Sequence, residues 1–264
     1  MRAFIAVAIM LCAMQLQAAP DWKTALDGAQ RSEENRARDS WRHPRQTLEF
    51  FGLREDMAVV EISPGGGWYT EVLAPLLHDK GTLYAANASL NPPHPYYRRS
   101  LGKYLSKLGD NNDVYGKVVV TQLQPPSELD AGPAGQVDLV LTFRNVHNWM
   151  NNKTDAAVLG AAYKALKPGG VLGIVEHRAK PGTSIEDMIK SGYVTQQYVI
   201  KLAQAAGFKF VEASEVNANP RDSSVHPKGV WTLPPRLRLG EQDRDKYLAI
   251  GESDRMTLKF VKPG

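Results

Sequence analysis

Apolar residues recur along this chain in two rhythms. From residue 57 onward, short continuous apolar runs fall at 57–62, 81–86, 118–120, 137–142 and 171–175. Runs of that length bounded by turn formers read as buried strands. Between them lie stretches whose apolar positions repeat every three to four residues, at 68–77, 154–166 and 195–206. These predict helices, the second closed by Lys167-Pro168-Gly169-Gly170 and the third by Gly207. Strands separated by helices imply a parallel sheet covered on both faces. Two more strands, 208–211 and 255–260, close the pattern as an antiparallel hairpin. Residues 217–252, rich in Pro, Arg and Asp, read as a long irregular insertion between them.

The first fifty residues follow neither rhythm. Arg2, an apolar stretch at 3–14 and the small pair Ala18 and Ala19 have the layout of a signal peptide. Residues 1–19 are assigned to it, with cleavage favoured after Ala18. The apolar stretch is too short to span a bilayer, which takes roughly 20 residues. The expectation is a periplasmic or secreted protein with no stable membrane anchor once the leader is cut. Cys12, the one cysteine, would leave with it. Residues 20–52 then form a polar, helix-compatible segment, broken at His43-Pro44 because proline disfavours helix at the residue before it. A second short helix at 46–51 stops at Gly52. Residues 53–264 form the α/β domain.

Composition narrows the function classes. The 264 residues are 43% hydrophobic and 23% charged, with a formal net charge of +4. Both signs are interspersed, so no nucleic-acid surface is expected. The six histidines, at 43, 78, 94, 147, 177 and 226, show no short metal-ligand spacing, and no metal is expected. A Gly-x-Ser-x-Gly elbow and a P-loop lysine are both missing.

The informative feature is the loop Ser63-Pro64-Gly65-Gly66-Gly67 between the first strand and its helix. Ligands of open parallel sheets collect at the carboxyl ends of strands, and glycines there let the backbone approach them. A dinucleotide loop wants glycine at relative positions one, three and six; here those are Ser63, Gly65 and Trp68, and the tryptophan would block close helix–strand packing. Glycines at positions three and five, preceded by Glu61 at the strand end, suit a different cofactor loop. Its carboxylate can pair with the ammonium of an amino-acid moiety. The alternative is that three glycines merely make a turn.

Residues Val59 to Thr70 resemble the first motif of class I S-adenosylmethionine-dependent methyltransferases. The segments 141–149, 166–170 and 175–179 fit the same superfamily and, more narrowly, a bacterial family of exported predicted methyltransferases. The resemblance implies a three-layer Rossmann-like fold, its seven-stranded, mostly parallel sheet having the last strand antiparallel. It implies S-adenosyl-L-methionine as cofactor, an N-terminal segment covering the pocket, and a small-molecule acceptor. It places Glu61, Ser63, Pro64, Gly65, Gly66, Gly67, Tyr69 and Thr70 at the cofactor, with Phe143, Arg144 and Asn145 lining its adenine or amino-acid side. One position departs from the pattern. Asn87 ends the second strand where such enzymes carry an acid for the ribose hydroxyls, and an amide makes weaker bonds there.

Methyl transfer is an in-line displacement governed by proximity, aided by a base when the acceptor must lose a proton. His147, just past the fourth strand, is the candidate base, or else a histidine that shapes its loop. Glu176, His177 and Arg178 either bind a polar substrate or satisfy one another. Asp39, Arg42 and His43 read as a solvated helical face or a pocket cover. Tyr96, Tyr97, Arg98 and Arg99 fall near the mouth. An exported, non-catalytic binding module that keeps the fold is the alternative, since this cofactor is made in the cytosol and Asn87 weakens the ribose site.

Overall fold

The computed structural model describes residues 20–92 and 94–264. The leader at 1–19 lies outside the described residues. Four short helices open the chain: α1 (Trp22–Asp27), α2 (Glu33–Arg36), α3 (Asp39–Arg42) and α4 (Pro44–Phe51). The break expected at His43-Pro44 is a left-handed residue, His43 at φ 41°, which ends α3 and launches α4 with proline in its first turn. Gly52, at φ 81°, ends α4 in the left-handed conformation glycine adopts freely.

The alternating part follows as β1 (Ala58–Ile62), α5 (Thr70–Leu77), β2 (Thr82–Asn87), α6 (Pro95–Asp110), α7 (Asn112–Tyr115), β3 (Val119–Gln124), β4 (Glu128–Leu129) and β5 (Val137–Phe143). It continues as α8 (Val146–Asn152), α9 (Asp155–Ala165), β6 (Leu166–His177), α10 (Ile185–Ser191), α11 (Gln196–Ala205), β7 (Lys209–Ser214), β8 (Pro227–Val230), α12 (Arg244–Ile250) and β9 (Arg255–Val261).

The sheet has eight strands in the order β4-β3-β2-β1-β5-β6-β9-β7. Strands β3, β2, β1, β5 and β6 run parallel, and β9 is antiparallel to both β6 and β7. The expected count was seven; the eighth is β4, a two-residue edge strand antiparallel to β3 and too short to leave a periodic signal. Strand β6 also starts earlier than expected, because Leu166 pairs with Val137 across a register irregularity.

Alternate strand residues feed two cores, as a period of two requires. Val59, Leu83, Leu139, Leu141 and Val175 pack with α1, α4 and α5 on one face. Val60, Ile62, Val140, Leu172 and Ile174 pack with α8, α9 and α11 on the other. The order of strands reverses at β1, so the carboxyl ends of β1 and β5 open onto a crevice. Among the described residues, no helix is long and apolar enough to cross a membrane.

Candidate functional site

A cleft of about 790 Å³ opens at those strand ends. Its floor is the loop after β1. Ser63 sits at φ 51°, its N–H donating to Ala86 O at 2.8 Å, and Gly65 at φ 60°. The three glycines are there for different reasons. A Cβ on Gly65 or Gly66 would meet no protein atom within 4 Å, although both residues line the cleft. Gly66 also has no unusual φ to protect, so its missing side chain leaves room for a ligand rather than for protein. Gly67, at φ 78°, does not line the cleft; a Cβ there would crowd Lys107 and Tyr104.

Glu61 ends β1 with 2% of its surface exposed. Its carboxylate accepts one hydrogen bond, from Thr70 Oγ1 at 2.6 Å, and Thr70 Oγ1 in turn lies 3.1 Å from the Tyr104 hydroxyl. Burial pushes the Glu61 carboxyl up to about 7. A buried carboxylate with a single donor is short of partners, and a cation arriving in the cleft would supply one. Thr70 therefore reaches the site through Glu61. Tyr69 stacks flat on Phe143, ring centroids 3.4 Å apart, and both line the cleft.

Trp68, which stands where a dinucleotide turn would want glycine, faces the N-terminal helices. Its indole N–H donates to Asn35 O at 3.0 Å, and its ring lies under the guanidinium groups of Arg31 and Arg42 at 5.0 and 4.6 Å. It fastens the N-terminal helices over one side of the cleft.

Asn87 is buried at the end of β2, where its Oδ1 accepts from Ala88 N at 2.9 Å. Its Nδ2 is buried without a hydrogen-bond partner, and the residue does not line the cleft.

The second wall comes from the loop after β5. Asn145 Nδ2 donates to Ile62 O at 3.0 Å, tying the ends of β1 and β5 together. Arg144 stands at φ 63° with its backbone N–H on Val175 O. His147 Nδ1 lies 3.0 Å from Glu176 Oε1. Glu176, fully buried at the end of β6, also accepts from the backbone N–H groups of Val146, His147 and His177. Its carboxylate is thus occupied by N–H donors, and it fixes the His147 ring. His177 Nδ1 bonds Ser253 Oγ at 2.5 Å, and burial holds this imidazole well below its usual range, with His147 and nearby arginines adding to the effect.

His147, Glu176 and His177 offer ligand atoms within 4.8 Å of one another, a grouping that their sequence spacing did not reveal. The carboxylate of that trio is already saturated by N–H groups, which argues for a hydrogen-bonded cluster. Arg178 is not part of it. That side chain turns away to pair with Glu215 and Asp254. The third wall escaped the sequence reading: Trp231, Pro234, Pro235, Arg236 and Arg238 reach the cleft from the insertion, and Glu252 and Ser253 from its end.

Of the residues expected at a cofactor, the cleft brings together Glu61, Ser63, Pro64, Gly65, Gly66, Tyr69, Phe143, Arg144 and Asn145, with His147 beside them. Gly67, Thr70 and Asn87 stand behind its surface.

No family model matches the chain, and no curated protein matches it. Among solved structures it is similar in fold to a SAM-dependent methyltransferase from Aquifex aeolicus, with a TM-score of 0.57 and 16% identity over 86% of this chain and 93% of that one. It is similar to the [4+2]-cyclase SpnF, at TM-score 0.58 and 14% identity, covering 84% and 80%. It is also similar to phosphoethanolamine N-methyltransferase 2 of Haemonchus contortus, solved with S-adenosyl-L-methionine, at TM-score 0.55 and 15% identity, covering 93% and 61%. The fold is the Rossmann-like methyltransferase fold.

Proposed function

We propose that this protein is an S-adenosyl-L-methionine-dependent methyltransferase acting on a small-molecule acceptor, of the exported kind that residues 1–19 suggest. The observation that carries the reading is the floor of the cleft. It combines an open glycine cradle with a buried carboxylate that, among the described residues, receives one hydroxyl and makes no direct ion pair, at the switch point of a methyltransferase fold. The residues fit the group: Gly65 and Gly66 leave its space, Glu61 meets its ammonium, and the stacked Tyr69 and Phe143 give an apolar wall. Bound, the cofactor supplies a methyl group on a sulfonium, open to in-line attack.

The chain's own contribution is placement and one proton transfer. With Nδ1–H donated to Glu176, His147 keeps a lone pair on Nε2, and the ring lines the cleft. It can take the proton of an acceptor O–H or N–H as attack proceeds. Glu176 acts as a positioning residue: it selects the tautomer and stabilises the imidazolium that forms. The neutral His177 beside it, ring centroids 5.4 Å apart, adds no opposing charge.

A second reading, a binding module without transfer, draws on Asn87, whose side chain neither reaches the cleft nor carries charge. It also draws on the [4+2]-cyclase SpnF, named for a different reaction on a similar fold. Calorimetric titration with S-adenosylmethionine and S-adenosylhomocysteine separates the readings. Micromolar binding, lost at least 100-fold in Gly66→Leu with its melting temperature unchanged, supports the cofactor site. Binding without methyl transfer to any acceptor in a cell extract favours the module. No binding by the folded wild type ends the cofactor reading.

A further inference from the structure

The cleft is charged unevenly. Arg38, Arg42 and Arg255 converge on one carboxylate: Arg38 Nε lies 2.6 Å from Glu252 Oε1, Arg42 Nε 3.2 Å and Arg255 Nη2 2.5 Å from Oε2. Arg42 and Arg255 are 3% and 2% exposed. Arg144 faces the same group and donates no side-chain hydrogen bond to any described residue. Four guanidinium groups therefore share one glutamate. Cations held this close out of water are unfavourable until an anion joins them. Burial, with the neighbouring arginines adding to it, lowers Arg42 well below its usual range and Arg144 to about 10.

Arg144 also holds a positive φ of 63°, which costs a non-glycine residue of order 1 kcal/mol or more and needs a compensating role. Three residues on, His147 lines the same cleft. Arg236 and Arg238 reach that cleft from the insertion, Arg238 with its guanidinium 4.6 Å from the Trp231 ring centroid.

The carboxylate of an amino-acid cofactor carries one negative charge. Set against four arginines and one glutamate, it leaves the wall still positive. Resting on the methyl-transfer reading above, we propose that the acceptor itself carries an oxyanion, a carboxylate or a phosphate group. Arg144, with Arg42 and Arg38 behind it, holds this group and so directs the methyl-accepting atom toward His147. Arg144 then belongs to the acceptor, not to the cofactor side expected from the sequence. Guanidinium forks suit both anions, because each offers paired oxygens.

The test is calorimetric titration of the whole protein, at constant ionic strength, with inorganic phosphate and separately with acetate. Each is run with and without saturating S-adenosylhomocysteine. One anion is expected to bind the loaded protein, with affinity falling at least tenfold in Arg144→Asn. Asparagine tolerates positive φ, and a thermal melt checks that the variant folds. Which anion binds more tightly identifies the acceptor's group.

Competition between S-adenosylhomocysteine and the anion would overturn the proposal by assigning the arginines to the cofactor's carboxylate. So would an Arg144→Asn protein that binds the anion normally or loses S-adenosylhomocysteine instead, and so would a loaded wild type that binds neither anion. Anion binding that depends on Arg144, in a wild type that takes no S-adenosylhomocysteine, overturns the methyl-transfer reading and the acceptor role together.

Discussion

Glu61 and Glu176 end the two strands that flank β5, each with no more than 2% of its surface exposed, yet the protein treats them in opposite ways. Glu176 receives N–H groups from Val146, His147 and His177 and a ring nitrogen of His147. Glu61 receives one hydroxyl. A buried carboxylate saturated by its own chain is part of the scaffold, whereas one left short of donors awaits something the chain does not contain. In the function proposed above, the difference separates a residue that positions a catalyst from one that meets a ligand, although sequence and burial alone make them look alike.

The comparison breaks most visibly at Glu176. Replacing it by alanine strands several buried N–H groups, and we expect a loss of about 3 kcal/mol or more in stability, read by urea unfolding. Glu176→Gln keeps the shape but offers one acceptor oxygen in place of two, so it should cost less stability than alanine while lowering kcat more than it raises KM, read by steady-state kinetics.

Glu61→Gln should do the reverse of Glu176→Ala. Because the folded Glu61 holds its proton up to about 7 against an ordinary value near 4.5, its burial costs nothing below pH 4.5. That cost grows as pH rises to 7 and is constant above. The glutamine variant is therefore expected to be more stable at pH 8 by about 1–3 kcal/mol and to lose that advantage toward pH 4. Its affinity for S-adenosylhomocysteine should fall about tenfold or more, as expected for a buried cation without its carboxylate.

In the wild type the same titration predicts weaker S-adenosylhomocysteine binding as pH drops below 7, approaching tenfold per unit, with proton release on binding. Calorimetry in buffers of different ionisation enthalpy would reveal it; a flat profile between pH 5.5 and 8 would place Glu61 outside the binding step. The smallest effect is expected at Asn87→Asp. A carboxylate there should tighten cofactor binding only a few-fold, because the side chain stands behind the cleft surface.

How much of this was legible follows from range. Apolar runs located β1, β2, β5 and β9 to within a residue, because burial on both faces demands such runs, whereas β7, a mostly exposed edge strand, runs three residues past its expected end. Helix α6 was missed, although Pro95 at its start and the spacing of Leu101, Tyr104, Leu105 and Leu108 were available signals. The glycine loop and Glu61 were legible because they are local. The meeting of His147 with Glu176 was not, since it depends on the register of β5 against β6. The arginine wall was still less so. Arg42 read as a solvated helical face or a pocket cover, and Arg38 drew no attention, until Glu252, more than 200 residues away, gave both a partner.

The place of β9 carries a temporal consequence. It follows β6 and β7 along the chain yet lies between them in the sheet, so both of its neighbours are made earlier. Until the ribosome has released β9, β6 and β7 cannot be joined through it, and Arg255 cannot complete the arginine wall. The nascent chain can assemble its first strands as they emerge, but the cleft takes shape only once β9 has followed them. A chain cut after residue 250 lacks both β9 and Glu252, so β7 has no neighbouring strand and Arg38 and Arg42 lose the carboxylate they share.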